Sequence, residues 1–98
     1  MYTLITAATS SQAYQLKSQL NSDHVLLGDF HELPVILIQS GKVLALPNPN
    51  EAAYTHQMLA LCLDQDIHIV YPLRYEEKQL LLNAKQLFNE YDIQILII

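Results

Sequence analysis

Glycine is nearly missing: the 98 residues hold only Gly28 and Gly41. A dinucleotide fold needs glycines after its first strand so that the backbone can approach a pyrophosphate, and a Walker loop needs them to wrap phosphates. Two isolated glycines satisfy neither fingerprint, which excludes NAD or ATP binding in the usual manner. Cysteine is single; Cys62 cannot form an intramolecular disulfide and points to a reducing, cytoplasmic setting. Positive charge is sparse, with 5 Lys and Arg against 10 Asp and Glu for a net charge of -5, and this opposes any phosphate-backbone partner. No nucleic-acid partner is expected. The longest apolar runs (Leu33 to Ile38, Val43 to Leu46 and Ile95 to Ile98) are strand-length, far below the ~20 residues that cross a bilayer. The first residues carry no basic n-region and no cleavage site, so neither a membrane nor a secretory route is expected.

What is present is apolar: 51% of the residues are hydrophobic and 15% charged. An ordinary domain carries roughly 25% charged residues, so this composition describes a packed domain and excludes disorder. Residues 1–98 are read as one domain, which at this size buries somewhat over ~60% of its unfolded surface. Strand-like and helix-like segments alternate along it, the sequence form of a parallel α/β sheet. Tyr2 to Thr6 reads as the first strand. Thr9 to Gln12 reads as a capping box with Thr9 as the cap, and Ala13, Leu16 and Leu20 follow at helical spacing, with Asn21 as the stop. His24 to Gly28 reads as the second strand, ending at Asp29.

Between Phe30 and Pro47 two readings stay open. Val35 to Gln39 and Lys42 to Leu46 could close as a hairpin around Ser40-Gly41, or only the second piece is a strand reached by a crossover. Asn48 and Pro49 then signal a helix start, with Tyr54, Met58, Leu61 and Cys62 on its buried face and Asp64 to Asp66 at its end. Ile67 to Tyr71 is a strand stopped by Pro72. A long helix is expected from about Tyr75 to Tyr91, with Leu80, Leu81, Ala84, Leu87, Phe88 and Tyr91 on one face and Glu76 and Glu77 in its first turn. Ile93 to Ile98 closes the sheet. The expected architecture is a three-layer Rossmann-like fold, a mainly parallel sheet of about five strands with helices on both faces.

In such a sheet the ligand site lies beyond the carboxyl ends of the strands, which selects three loops. After the first strand come Thr9, Ser10 and Ser11, which serve either as a simple helix cap or as an anion site using free amides at the helix start. Asp29 follows the second strand, where a nucleotide fold places a ribose acceptor; without glycines it reads equally as a turn residue. After the fourth strand stands Arg74, the only arginine, which either clamps a carboxylate or phosphate or pairs with the neighbouring acids or with Asp29. Glu76 or Glu77 could orient an amine or act as acid and base, and either also suits a helix's first turn. His24, His31, His56 and His68 show no metal-ligand spacing, so no metal is expected. Cys62 falls on an apolar helix face and reads as a core residue.

A resemblance runs along the whole chain: Leu46-Pro47 before a helix, Leu59 to Leu63 containing Cys62, Ile69-Val70-Tyr71-Pro72-Leu73, then Glu77, Leu80, Leu81, Ala84, Phe88 and Ile93 to Ile97. In this order the chain resembles the N-terminal pre-ATP-grasp domain of the ATP-grasp superfamily, in the manner of the carbamoyl-phosphate-synthase-like carboxylate-amine ligases. Two departures stand out: the turn after the first strand has no glycine, and Tyr75 stands where the family often has Asp. The resemblance implies that ATP and Mg bind in later domains, so no cofactor and no ligase activity are expected of these residues alone. It implies an accessory or assembly module for a separately encoded ATP-grasp protein; the alternative is a domain that binds or senses a carboxylate, amino acid or nucleotide through Thr9, Ser10, Ser11, Asp29, Arg74 and Glu77. Self-association through the Ile-rich last strand is also expected.

Overall fold

The computed structural model describes residues 1–20, 24–30, 39 and 43–98. Five strands, β1 (Tyr2–Ile5), β2 (Val25–Asp29), β3 (Val43–Ala45), β4 (Ile67–Tyr71) and β5 (Gln94–Ile95), form one sheet in the order β3-β2-β1-β4-β5. Every pairing is parallel, with Leu4 of β1 opposite Leu26 on one side and Val70 on the other. The described helices are α1 (Ser11–Leu20), α2 (Tyr54–Asp64), α3 (Tyr75–Asn83) and α4 (Lys85–Asn89). The fold is therefore α/β and Rossmann-like. None of the described helices is long and apolar enough to cross a membrane.

Alternation along β1 builds the three layers. Successive strand side chains point to opposite faces, so Leu4 and Ile5 enter different cores. Leu4 packs with Tyr54, Met58 and Cys62 of α2, Leu81 of α3 and Phe88 of α4. Ile5 packs with Ala13 and Leu16 of α1 and with Val25, Leu27 and Val43 of β2 and β3. One face of the sheet thus carries α1 and the other α2, α3 and α4. Gly28 sits where β2 passes beneath Leu46: an added Cβ would lie 2.8 Å from two Leu46 carbons, so this scarce glycine is spent on close packing.

Several local expectations are corrected. The cap of α1 is Ser10, not Thr9: its Oγ accepts from the Ala13 amide (3.2 Å) and donates to the Ala7 carbonyl (2.8 Å). Ala7 turns into the left-handed region (φ 56°), which starts α1 one residue late and releases Thr9 for a different bond. Asn48 does not cap α2; its Oδ1 accepts from the Asn50 amide (2.9 Å) in a turn, and the helix begins only at Tyr54. The expected long helix is interrupted at Ala84 (φ -104°, ψ 10°), whose amide reaches Leu81 O at 3.2 Å. That break aims Phe88 into the core and leaves Tyr91, expected to be buried, half exposed.

The last strand is also shorter than the apolar run suggests. Only Gln94 and Ile95 pair with β4, and Leu96 adds one bond to Val70 O (2.9 Å). Pro72 ends β4 and has no amide to offer, so the ladder cannot continue and Ile97 and Ile98 are exposed. Of the two readings for 35–46, most of the proposed first hairpin strand (Val35 to Ile38) lies outside the described residues. Gln39 is helical and β3 runs parallel to β2, which agrees with a crossover. His31, Asn21, Ser40 and Gly41 also lie outside the described residues.

Candidate functional site

The strand order reverses at β1: β2 and β3 lie to one side of it, β4 and β5 to the other. A crevice at such a switch point is where open parallel sheets place ligands. Asp29 is the last residue of β2, Thr9 lies in the turn after β1, and Arg74 precedes α3 in the loop after β4. Because β1 separates β2 from β4, any bond between Asp29 and Arg74 must pass over the end of β1.

Such a bond exists, and it is two-pronged. Arg74 Nε donates to Asp29 Oδ1 at 3.1 Å and Arg74 Nη2 to Asp29 Oδ2 at 2.8 Å. Among the described residues two further donors reach the carboxylate: the Phe30 amide on Oδ1 (2.8 Å) and the Thr9 hydroxyl on Oδ2 (3.1 Å). The guanidinium also lies over the Phe30 ring, 5.1 Å from its centroid. The Asp29 side chain is 0% exposed and that of Arg74 is 23% exposed, so the clasp has a dry end and a wet end. The hydrogen bonds to Asp29 hold the Arg74 pKa above its ordinary value, against a smaller opposing effect of burial.

A second network sits under the clasp. The Leu73 amide donates to Thr6 Oγ1 at 2.8 Å, which pins the β4–α3 loop to the end of β1. Glu77, one turn into α3, is fully buried, and Tyr54 of α2 donates its hydroxyl to Glu77 Oε2 at 2.8 Å. Glu77 Oε1 has no hydrogen-bond partner among the described residues. Burial is the main reason that the Glu77 pKa stands above its ordinary value; the Asp29 charge adds to this, while the Tyr54 and Thr6 hydroxyls and the Arg74 charge oppose it. Burial, with Glu77 nearby, likewise raises the Tyr54 hydroxyl. The Cys62 thiol, buried on the same face of α2, is pushed up to about 12 by desolvation, which makes it an inert core residue at neutral pH.

The structure therefore brings together Thr9, Asp29 and Arg74. Ser10 is spent as the α1 cap, and Ser11 is exposed in the first turn of that helix and joins none of these bonds. Glu77 belongs to the buried layer below, bonded to a helix the sequence does not visibly link to it. Thr6, Phe30 and Tyr54 escape sequence reasoning as partners. A hydroxyl ending an otherwise apolar strand and an aromatic directly after Asp29 are the signals that bear on the first two. His68 is engaged by Tyr2 O through Nδ1 (2.9 Å), and the described residues contain no group of three His, Cys, Asp or Glu able to hold a metal. No protein-family model matches the chain, and no curated protein is significantly similar to it in sequence.

Two outcomes follow from this geometry. In a double-mutant cycle of Asp29→Ala and Arg74→Ala, read by urea unfolding, the coupling energy is expected to exceed the ~1 kcal/mol that bounds exposed pairs. A smaller value would reduce the clasp to an ordinary surface contact. For Glu77 the raised pKa belongs to the folded state, so as pH rises past the ordinary ~4.3 the unfolded chain releases its proton first. Stability then falls across the interval up to the folded value and stays lower above it. Glu77→Gln keeps an acceptor for Tyr54 without a charge, and is expected to show a smaller loss of stability than wild type through that interval and to be more stable than wild type at neutral pH. Lower stability of the variant there would overturn the assignment.

Proposed function

We propose that this chain is a substrate-side module of the pre-ATP-grasp type, without ligase activity of its own, that holds a small metabolite at the β1/β4 switch point for a separately encoded ATP-grasp protein. The observation that carries the ligand-holding part is Arg74, an arginine fixed by Asp29, Thr9 and Phe30 where a Rossmann-like sheet presents its ligands. Rigid placement of a charged fork lowers the ordering cost of binding. The ATP-grasp context rests on the sequence resemblance, and ATP and Mg would belong to the partner. Because the clasp residues serve any small-ligand module equally, a free-standing binding or sensing domain is the second reading.

Thermal-shift screening against amino acids, nucleotides and small carboxylates, together with co-expression with an ATP-grasp protein, separates the two. A ligand at a hundredfold its Kd stabilises by ~2.7 kcal/mol. A shift with co-purification supports the substrate-side module, a shift without it the sensing domain. No shift across the set removes both.

A second copy of the chain is the partner proposed for the β5 edge, which among the described strands is paired only to β4 and carries exposed Ile97 and Ile98 beyond it. Light scattering is expected to give a dimer mass that Ile97→Lys reduces to the monomer; a monomer at all concentrations would remove this interface.

A further inference from the structure

The valences left over at the clasp specify what it can take. A carboxylate has about four acceptor positions. Asp29 has filled its own with the Phe30 amide, the Thr9 hydroxyl and two nitrogens of Arg74. It is 1% exposed, so the acid at the end of β2 has nothing to offer a ribose hydroxyl. The turn after β1 adds a second obstacle, because Ala7 holds the left-handed conformation (φ 56°) with a side chain where a phosphate-approaching backbone would use glycine. The usual nucleotide contacts are thus closed at both points.

What remains is a donor edge. Arg74 uses Nε and one Nη2 hydrogen on Asp29; its other Nη2 contact is a long 3.5 Å approach to Thr9 Oγ1, and Nη1 makes no hydrogen bond to any described residue. The Nη1–Nη2 end of a guanidinium is a flat two-donor fork, matched by two oxygens in a plane. Its side chain keeps 23% exposure, and its charge is already balanced by Asp29 at 2.8 Å. With Glu76 in the first turn of α3, a second negative charge on the ligand would be repelled more than a first.

We infer that the switch-point crevice binds a small carboxylate monoanion through the outward edge of Arg74 and rejects nucleosides and nucleotides, because Asp29 is consumed by the clasp that positions the arginine. This narrows the ligand of the binding reading above and rests on it. A carboxyl-bearing metabolite without a ribose is the class that fits.

Titration of the full chain with propionate, inorganic phosphate, adenosine and AMP, at constant ionic strength, tests this by two-dimensional NMR of backbone amides and of the Arg74 Nε–H. Propionate is expected to give saturable shifts at Arg74, Thr9 and Phe30, with phosphate weaker and adenosine and AMP without effect. Arg74→Lys, which keeps the charge but loses the fork, is expected to weaken propionate at least tenfold. Should that variant fail to fold, competition on the wild type decides: adenosine must leave the propionate titration unchanged. Adenosine or AMP shifting the same residues, or propionate leaving them unmoved, would overturn the inference. If propionate fails while another compound still stabilises the protein, only the ligand class falls; if nothing binds at all, the binding reading falls with it.

Discussion

The ion pair between Arg74 and Asp29 organises the carboxyl end of this sheet. Its partners come from strands on either side of β1, so the bond bridges the switch point rather than decorating a surface. A parallel sheet has no hairpins to tie neighbouring strand ends. Here one side chain reaches across the gap and meets a carboxylate with no access to water. Arg74 directly precedes α3, and Glu77 enters the core one turn later.

The two layers of polar groups differ in how they are satisfied. In the upper layer, four donors from the described residues meet Asp29, and a charge that would be costly alone is stabilised by a partner, an amide and a hydroxyl. In the lower layer, the carboxyl of Glu77 has one oxygen bonded and one without a partner among the described residues, and burial answers by favouring the neutral acid. Thr6 links the layers, since its hydroxyl holds the Leu73 amide directly before Arg74. The carboxyl end of the sheet thus carries a buried, hydrogen-bonded acid beneath a guanidinium that keeps partial access to solvent.

Much of the scaffold was legible because burial leaves a periodic trace. The strand at Ile67–Tyr71 begins and ends where its apolar run and Pro72 require, and Ala13, Leu16, Met58 and Cys62 take the buried positions their spacing implies. Boundaries set by competing hydrogen bonds were less legible. Thr9 and Ser10 are chemically almost equivalent as caps, and only the left-handed turn at Ala7 chooses between them. Asn48 has a capping side chain but spends it in a turn, and the break at Ala84 has no proline or glycine to announce it.

The same distinction separates the site's membership from its geometry. Scarcity of glycine, the lone arginine and the acids after β2 and in α3 are properties of the chain, and they suffice to exclude phosphate loops and to nominate Asp29, Arg74 and Glu77. Which acid pairs with Arg74 is not such a property: Glu76 and Glu77 are nearer in sequence, yet the bond goes to Asp29, 45 residues away. Sequence separation adds only a slowly growing closure entropy, whereas strand order decides which loop ends meet. Placing β1 between β2 and β4 brings Asp29 within reach of Arg74, and the inward face of α3, to which Glu77 alone of its first turn belongs, directs Glu77 toward Tyr54.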